Sequence, residues 1–112
     1  MDDSGPFLAA ATDVVLASEG FDLEGVAAGG EEGVELARLR RPDLALVDLN
    51  MPGIDGRDTA ARIAQASPET AIVLMTAEPD LLTAPNGLLD KRRLSPATLA
   101  EIWERARTAA TR

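Results

Sequence analysis

An acid, a hydroxyl and a cation each follow a short apolar run in this chain. Asp48 comes directly after the run at 44–47, and Thr76 comes directly after the run at 71–75. Lys91 comes shortly after a third, weaker run. Continuous apolar runs of this length are typical of parallel strands that are covered on both faces. Because ligand sites in open α/β sheets lie beyond the carboxyl ends of the strands, we expect these side chains to meet there.

The composition narrows the chemistry that these residues can perform. The 112-residue chain has no Cys and no His, which excludes thiolate zinc sites, histidine metal ligands, histidine acid–base catalysis and a phosphohistidine role. Carboxylate, hydroxyl and lysine chemistry around hard, oxygen-binding cations remains. The 19 acidic and 11 basic residues give a net charge of −8, which argues against a nucleic-acid partner.

The sequence also lacks the patterns of a membrane or secreted protein. No apolar stretch reaches the roughly 18 residues that a transmembrane helix needs, so we expect no membrane partner. The acidic segment at 1–4 is unlike the basic start of a signal peptide. We therefore expect a cytoplasmic protein, and the length predicts one domain.

Amphipathic patterns between the apolar runs predict helices. They lie at 6–18, at 31–40 and at 55–66, and a fourth begins after Ser95, which is a suitable N-cap residue. A less regular run at 22–28 is a further candidate strand. Strands that alternate with helices predict βαβ units with right-handed crossovers and a parallel sheet.

The segment at 48–56, Asp-Leu-Asn-Met-Pro-Gly-Ile-Asp-Gly, closely resembles the phosphoacceptor turn of response-regulator receiver domains in two-component signalling. The resemblance to this CheY-like family covers residues 1–107 and leaves 108–112 as a C-terminal tail. It implies an α/β fold of the flavodoxin-like (CheY-like) type, in which a doubly wound parallel sheet forms the middle of a three-layer α/β/α arrangement.

The same resemblance implies a Mg²⁺ site. Asp2 and Asp3 are similar to the family's acidic pair. By resemblance, Asp3 and Asp48 would bind the ion directly, Asp2 would act through water, and the backbone carbonyl of Asn50 would also bind. Mg²⁺ keeps several waters and needs only one or two carboxylates. The ion would offset the repulsion between these acids and an incoming phosphoryl group.

The implied function is the acceptance of a phosphoryl group on Asp48 from a histidine kinase or a phosphotransfer protein. Thr76 and Ala77 are similar to the family's switch hydroxyl and its small neighbour, and Thr76 would donate to a phosphoryl oxygen. Lys91 would pair with another phosphoryl oxygen. The protein would catalyse at most its own phosphorylation and dephosphorylation. It would signal through protein contacts with a target that the sequence does not name. The resemblance leaves open whether the protein forms a homodimer.

The first departure from the family pattern lies at the N-terminus. The pattern has a full apolar strand before the acidic pair, whereas only Met1 precedes Asp2 here. The central strand of the sheet is therefore missing or truncated, which would leave unpaired strand edges. We expect that the protein's own start lies upstream. A rebuilt sheet and a strand supplied by a partner are the alternatives.

The second departure lies between the second and third apolar runs. The segment at 77–86 is too short for a long fourth helix and contains Pro79 and Pro85. Leu88 stands where the family usually has an aromatic residue. The signalling face of the domain should therefore differ from that of its relatives.

Two other functions remain open. A pseudo-receiver would keep the fold and act as a phosphorylation-independent protein-binding module, which the short crossover and the missing aromatic residue favour. A small Mg²⁺-dependent phosphohydrolase of the α/β type is less well supported. The Asp-x-Asn string at 48–50 lacks the second acid of an Asp-x-Asp nucleophile and acid pair.

Overall fold

A computed structural model of the protein describes residues 1–51, 53–77 and 89–110, with side chains as far as residue 107. In this part of the chain the elements are α1 (Gly5–Ala17), α2 (Gly30–Arg40), β1 (Leu44–Asp48), α3 (Gly56–Ala66), β2 (Ala71–Thr76), β3 (Leu89–Asp90), a 3₁₀ turn (Lys91–Arg93) and α4 (Pro96–Ala110). The four helices and the three main apolar strands that the sequence predicts are thus confirmed, with bounds that differ by a residue or two. None of these helices has both the length and the apolar character that crossing a bilayer requires.

The described strands form one parallel sheet in the order β1-β2-β3. The β1–β2 register runs from Leu44 opposite Ala71 to Asp48 opposite Met75. In the next pair Thr76 lies opposite Asp90. All the carboxyl ends therefore lie at the same edge of the sheet, where Asp48, Thr76 and the residue after β3 follow one another across neighbouring strands.

Helices cover both faces of the sheet, as the three-layer prediction requires. On one face, Ala45 and Val47 of β1 pack with Ala37 of α2 and Ile63 of α3. On the other face, a second cluster joins the strands to α1 and α4, and its members are Val73, Met75, Leu89, Phe7, Leu44, Leu46, Leu94, Ile102 and Ala106. Successive strand residues alternate between the two clusters, which is the pattern of a sheet buried on both sides.

The N-terminal residues occupy one position of a further strand beside β1. The α-amino group of Met1 donates to the carbonyl of Leu46 at 2.7 Å, and the N–H of Asp48 donates to the carbonyl of Met1 at 2.9 Å. On the opposite side, the N–H of Asp2 donates to the carbonyl of Ala27 at 3.0 Å. Residues 1 and 2 thus lie between β1 and Ala27, where the resemblance places the central strand.

The candidate strand at 22–28 is a wrong prediction, because the structure assigns no strand there. A strand needs a neighbour that pairs with its backbone along its length. Here the two residues at the N-terminus reach only Ala27. The shortened crossover, Leu88 and the proline of the turn after β1 lie outside the described residues.

Gly56 begins α3 at the point where the helix approaches the end of β1. Its N–H donates to the carbonyl of Leu49 at 3.0 Å. A Cβ at this position would collide with the carbonyl oxygen of Asp48 and would lie 2.6 Å from Cα of Leu49. The close approach of two backbone segments therefore requires glycine here.

We predict that Gly56→Ala destabilises the protein by about 1–3 kcal/mol, because the backbone atoms must move to admit the methyl group. Gly5→Ala is the matched control, since Gly5 is also the first residue of a capped helix and nothing lies within 4 Å of its added Cβ. The control should be neutral or slightly stabilising. Urea unfolding followed by circular dichroism measures both variants, and equal stabilities would contradict the steric argument.

Candidate functional site

Two carboxylates are buried together at the carboxyl end of β1. Asp48 is 4% exposed and Asp2 is fully buried. One oxygen of each is held by a backbone donor. The N–H of Asn50 donates to Oδ1 of Asp48 at 3.2 Å, and the N–H of Ser4 donates to Oδ1 of Asp2 at 2.8 Å. The local turns thus fix both carboxylates and leave the Oδ2 atoms for other partners.

Lys91 brings its ammonium group to both of these Oδ2 atoms. Its Nζ contacts Oδ2 of Asp2 and lies 3.2 Å from Oδ2 of Asp48. Nζ also lies 4.7 Å from the centroid of the Phe7 ring, within the range of a cation–π interaction. Burial lowers the pKa of Lys91, but the hydrogen bonds and charges of Asp2 and Asp48 outweigh it and hold the pKa above its ordinary value. The lysine is therefore a fixed positive charge.

The α-amino group of Met1 is the second positive group beside these acids. Burial lowers its pKa from the ordinary value, and the charges of Asp2 and Asp48 oppose that effect only in part. It donates its hydrogen bond to the backbone carbonyl of Leu46 rather than to either acid. Lys91 is thus the cation that the two buried carboxylates share.

Asp3 completes an acidic cluster at this edge of the sheet. One oxygen from each of Asp2, Asp3 and Asp48 can be chosen so that all lie within 4.8 Å of one another, and Asp3 is exposed to solvent. The oxygens of an octahedral Mg²⁺ lie about 2.1 Å from the ion, so opposite ligands are about 4.2 Å apart. A set of hard oxygen donors with this spacing fits Mg²⁺ after small movements of the side chains.

The remaining residues predicted for the site also lie at this edge. Thr76 is the last residue of β2, is 3% exposed, and follows directly on the residue opposite Asp48. Asn50 is exposed, and its backbone N–H is the donor that holds Asp48. The sheet register therefore places Thr76 at the same end of the sheet as Asp48.

Sequence reasoning missed two neighbours of the site. Phe7 packs under the ammonium of Lys91, but nothing in the sequence connects residues so far apart along the chain. Gly56 is part of the turn string at 48–56, yet the string does not reveal that its Cα approaches the carbonyl of Asp48. A glycine at the start of a helix that directly follows a functional turn could have signalled such an approach.

We predict that Lys91→Met, measured without divalent cations, destabilises the protein by about 3 kcal/mol. The substitution leaves the carboxylates of Asp2 and Asp48 buried without their shared cation. Arg93→Met is the control, because Arg93 is an exposed cation in the same 3₁₀ turn and should change stability by about 0.5 kcal/mol or less. Urea unfolding gives both values, and equal losses would show that Lys91 does not neutralise the acids.

Comparison with known proteins shows the family of the chain. The family model described as the response regulator receiver domain matches residues 1–90. The protein-glutamate methylesterase/protein-glutamine glutaminase 2 of Anaeromyxobacter dehalogenans is 42% identical over 78 residues, which are 70% of this chain and 23% of that protein. The DNA-binding response regulator MtrA of Mycolicibacterium smegmatis is 38% identical over 86 residues, which are 77% of this chain and 37% of that protein.

A solved structure shows the same fold. The signal receiver domain of a modulated diguanylate cyclase from Desulfovibrio desulfuricans G20 has a TM-score of 0.77 and 35% identity, and the match covers 96% of this chain and 90% of that chain. The fold is therefore the flavodoxin-like, CheY-type α/β/α arrangement. The chain spans well under half the length of the two curated relatives. It belongs to the response regulator receiver domains of two-component signalling.

Proposed function

We propose that this receiver domain accepts a phosphoryl group on Asp48 in a Mg²⁺-dependent reaction. The observation that carries the proposal is the convergence of a buried carboxylate at a strand end, a lysine ammonium 3.2 Å from it and a cluster of two further acids. The donor would be a phosphohistidine of a histidine kinase or of a phosphotransfer protein.

In the transfer, one carboxylate oxygen of Asp48 forms a bond to phosphorus while the bond between phosphorus and the donor's imidazole nitrogen breaks. The electron pair of the broken bond stays with the imidazole, which takes up a proton from solvent. The N–H of Asn50 holds Oδ1 and the ammonium of Lys91 faces Oδ2, so the orientation of the carboxylate is set before the donor arrives. Such positioning is the larger part of catalysis in phosphoryl transfer.

Two side chains would then hold the phosphoryl oxygens. Lys91 is already charged and can move its ammonium from Asp48 to a phosphoryl oxygen over a short distance. The hydroxyl of Thr76, at the end of the neighbouring strand, would donate to another oxygen. Asp3, Asp48, the Asn50 carbonyl and, through water, Asp2 would hold Mg²⁺, which would supply positive charge that offsets repulsion of the phosphoryl group.

The proposal also covers the extent and the partners of the domain. We assign the receiver to residues 1–107 and a C-terminal tail to residues 108–112, although α4 continues to Ala110. Output would pass through protein–protein contacts made by the faces around the site. The cytoplasmic location expected from the sequence is part of the same proposal.

We predict that radiolabelled acetyl phosphate with Mg²⁺ labels the protein, and that Asp48→Asn removes the label. Asp55→Asn is the matched control, because Asp55 is an exposed acid of the same turn and an amide oxygen can still cap α3. The Asp55→Asn control should keep its label. Addition of EDTA should abolish labelling of the unsubstituted protein and of this control. A labelled Asp48→Asn variant would contradict the assignment. Mg²⁺ binding without any label would instead support the pseudo-receiver.

We predict that Mg²⁺ raises the melting temperature of the protein, because the ion binds the folded acidic cluster. Asp3→Asn should weaken Mg²⁺ binding about tenfold or more with little effect on folding, since Asp3 is exposed. Asp13→Asn removes the same charge from an exposed position of α1 and should leave the affinity unchanged. Thermal unfolding across a Mg²⁺ titration tests this, and equal affinities for both variants would contradict the metal site.

A further inference from the structure

Three groups surround the ammonium of Lys91 among the described residues. Its Nζ contacts Oδ2 of Asp2, lies 3.2 Å from Oδ2 of Asp48 and lies 4.7 Å from the centroid of the Phe7 ring. The two carboxylates belong to the acidic cluster proposed to hold Mg²⁺, whereas the ring has no part in that proposal. Phe7 is therefore the neighbour of this ammonium whose role the proposed reaction leaves unexplained.

The two carboxylates would hold Lys91 less firmly once their oxygens bind Mg²⁺. An oxygen of Asp48 that coordinates a divalent cation has less negative charge to offer the ammonium, and the two cations repel each other. The proposed reaction needs Lys91 at this stage, because its ammonium must lie beside Asp48 to meet a phosphoryl oxygen. A contact that does not depend on the carboxylates would keep the ammonium in place.

Phe7 offers such a contact because other parts of the fold set its position. It lies in the first turn of α1, where its N–H donates to Oγ of Ser4, the N-cap residue, at 3.3 Å. Its half-buried side chain packs against the core cluster of Val73, Met75 and Leu89. A helix cap and an apolar core therefore fix the ring, and neither includes a carboxylate of the acidic cluster.

The face of the ring attracts the ammonium without being a ligand that Mg²⁺ would take. The negative face of an aromatic ring attracts a cation within about 6 Å of its centroid, and the attraction is stronger where the cation is shielded from water. The side chain of Lys91 is only 13% exposed, so most of it is shielded. Because Mg²⁺ keeps a shell of oxygen ligands and waters, the ring stays available to the ammonium.

We propose that Phe7 is a positioning residue for Lys91. Its ring holds the ammonium beside Asp48 when the carboxylates bind Mg²⁺, and so keeps it where a phosphoryl oxygen arrives. The effect on transfer rests on the function proposed above, whereas the contact between the ring and the ammonium does not. Phe7 acts through Lys91 and takes no part in making or breaking a bond.

Lys91 makes the contact measurable, because it is the only lysine of the chain. Protein that carries isotope-labelled lysine therefore gives a single lysine Cε signal in an NMR spectrum, and the protons on this carbon lie next to Nζ. These protons should appear upfield of their position in Phe7→Leu, because an aromatic ring shields protons above its face. In the unsubstituted protein, the upfield position and a nuclear Overhauser effect to the Phe7 ring should persist at saturating Mg²⁺.

The rate of labelling by acetyl phosphate with Mg²⁺ measures the effect on transfer. Phe7→Leu should slow labelling about three- to tenfold, because leucine keeps the apolar packing but lacks the ring face. Phe7→Tyr should keep the rate within about twofold of the unsubstituted protein, since tyrosine restores the ring face. Phe21→Leu is the matched control and should leave the rate unchanged, because Phe21 is also half-buried but lies beyond the opposite end of α1. Circular dichroism and a melting curve establish that the variants fold.

Three results would overturn the proposal. One is a Lys91 signal that shows neither the upfield position nor the Overhauser effect at saturating Mg²⁺. Another is an equal labelling rate for Phe7→Leu and the unsubstituted protein, and the third is a Phe7→Tyr variant as slow as Phe7→Leu. If the unsubstituted protein takes no label at all, the function proposed for Asp48 fails, and the Lys91 spectra alone then decide whether Phe7 holds the ammonium.

Discussion

The whole arrangement depends on one ammonium group that two buried carboxylates share. Asp2 and Asp48 come from segments far apart in the chain, and without Lys91 their burial side by side would carry a large electrostatic cost. The contacts of Lys91 Nζ with Asp2 and Asp48 bring the N-terminus, the end of β1 and the turn after β3 together in one site. A contact of this kind contributes little net stability compared with an apolar core, so its presence is better explained by the chemistry of the site.

The sheet makes this meeting possible because parallel register leaves little freedom. Once Leu44 is opposite Ala71, Asp48 must end its strand beside Met75, and Thr76 follows one residue later. The second register then places Lys91 directly after the residue opposite Thr76. The register of the apolar runs therefore sets the positions of Asp48 and Thr76, and the segments next to the strands contribute the other acids, the lysine and the donors that orient the acids.

The elements could be predicted from the sequence, and the candidate site residues could be named from it, because both depend on short-range patterns. Apolar runs such as 71–75 and the Ser95 cap of α4 predicted the strands and helices, and the turn at 48–56 identified Asp48. The prediction that failed and the neighbours that were missed depend on contacts between residues far apart along the chain. The run at 22–28 has the composition of a strand, but among the described residues only Asp2 donates a backbone hydrogen bond to it, at Ala27. The packing of Phe7 under Lys91 and the approach of Gly56 to Asp48 arise only after the chain folds.

Met1 and Asp2 connect the acidic cluster to the edge of β1. Asp2 contributes a carboxylate to the site, while the backbone of the residue before it is hydrogen-bonded to β1. Among the described residues, three backbone hydrogen bonds hold this segment in the sheet: Met1 donates to Leu46, Asp48 donates to Met1, and Asp2 donates to Ala27. The position of the Asp2 carboxylate therefore depends on the pairing of the preceding residue with β1 as well as on the ion pair with Lys91.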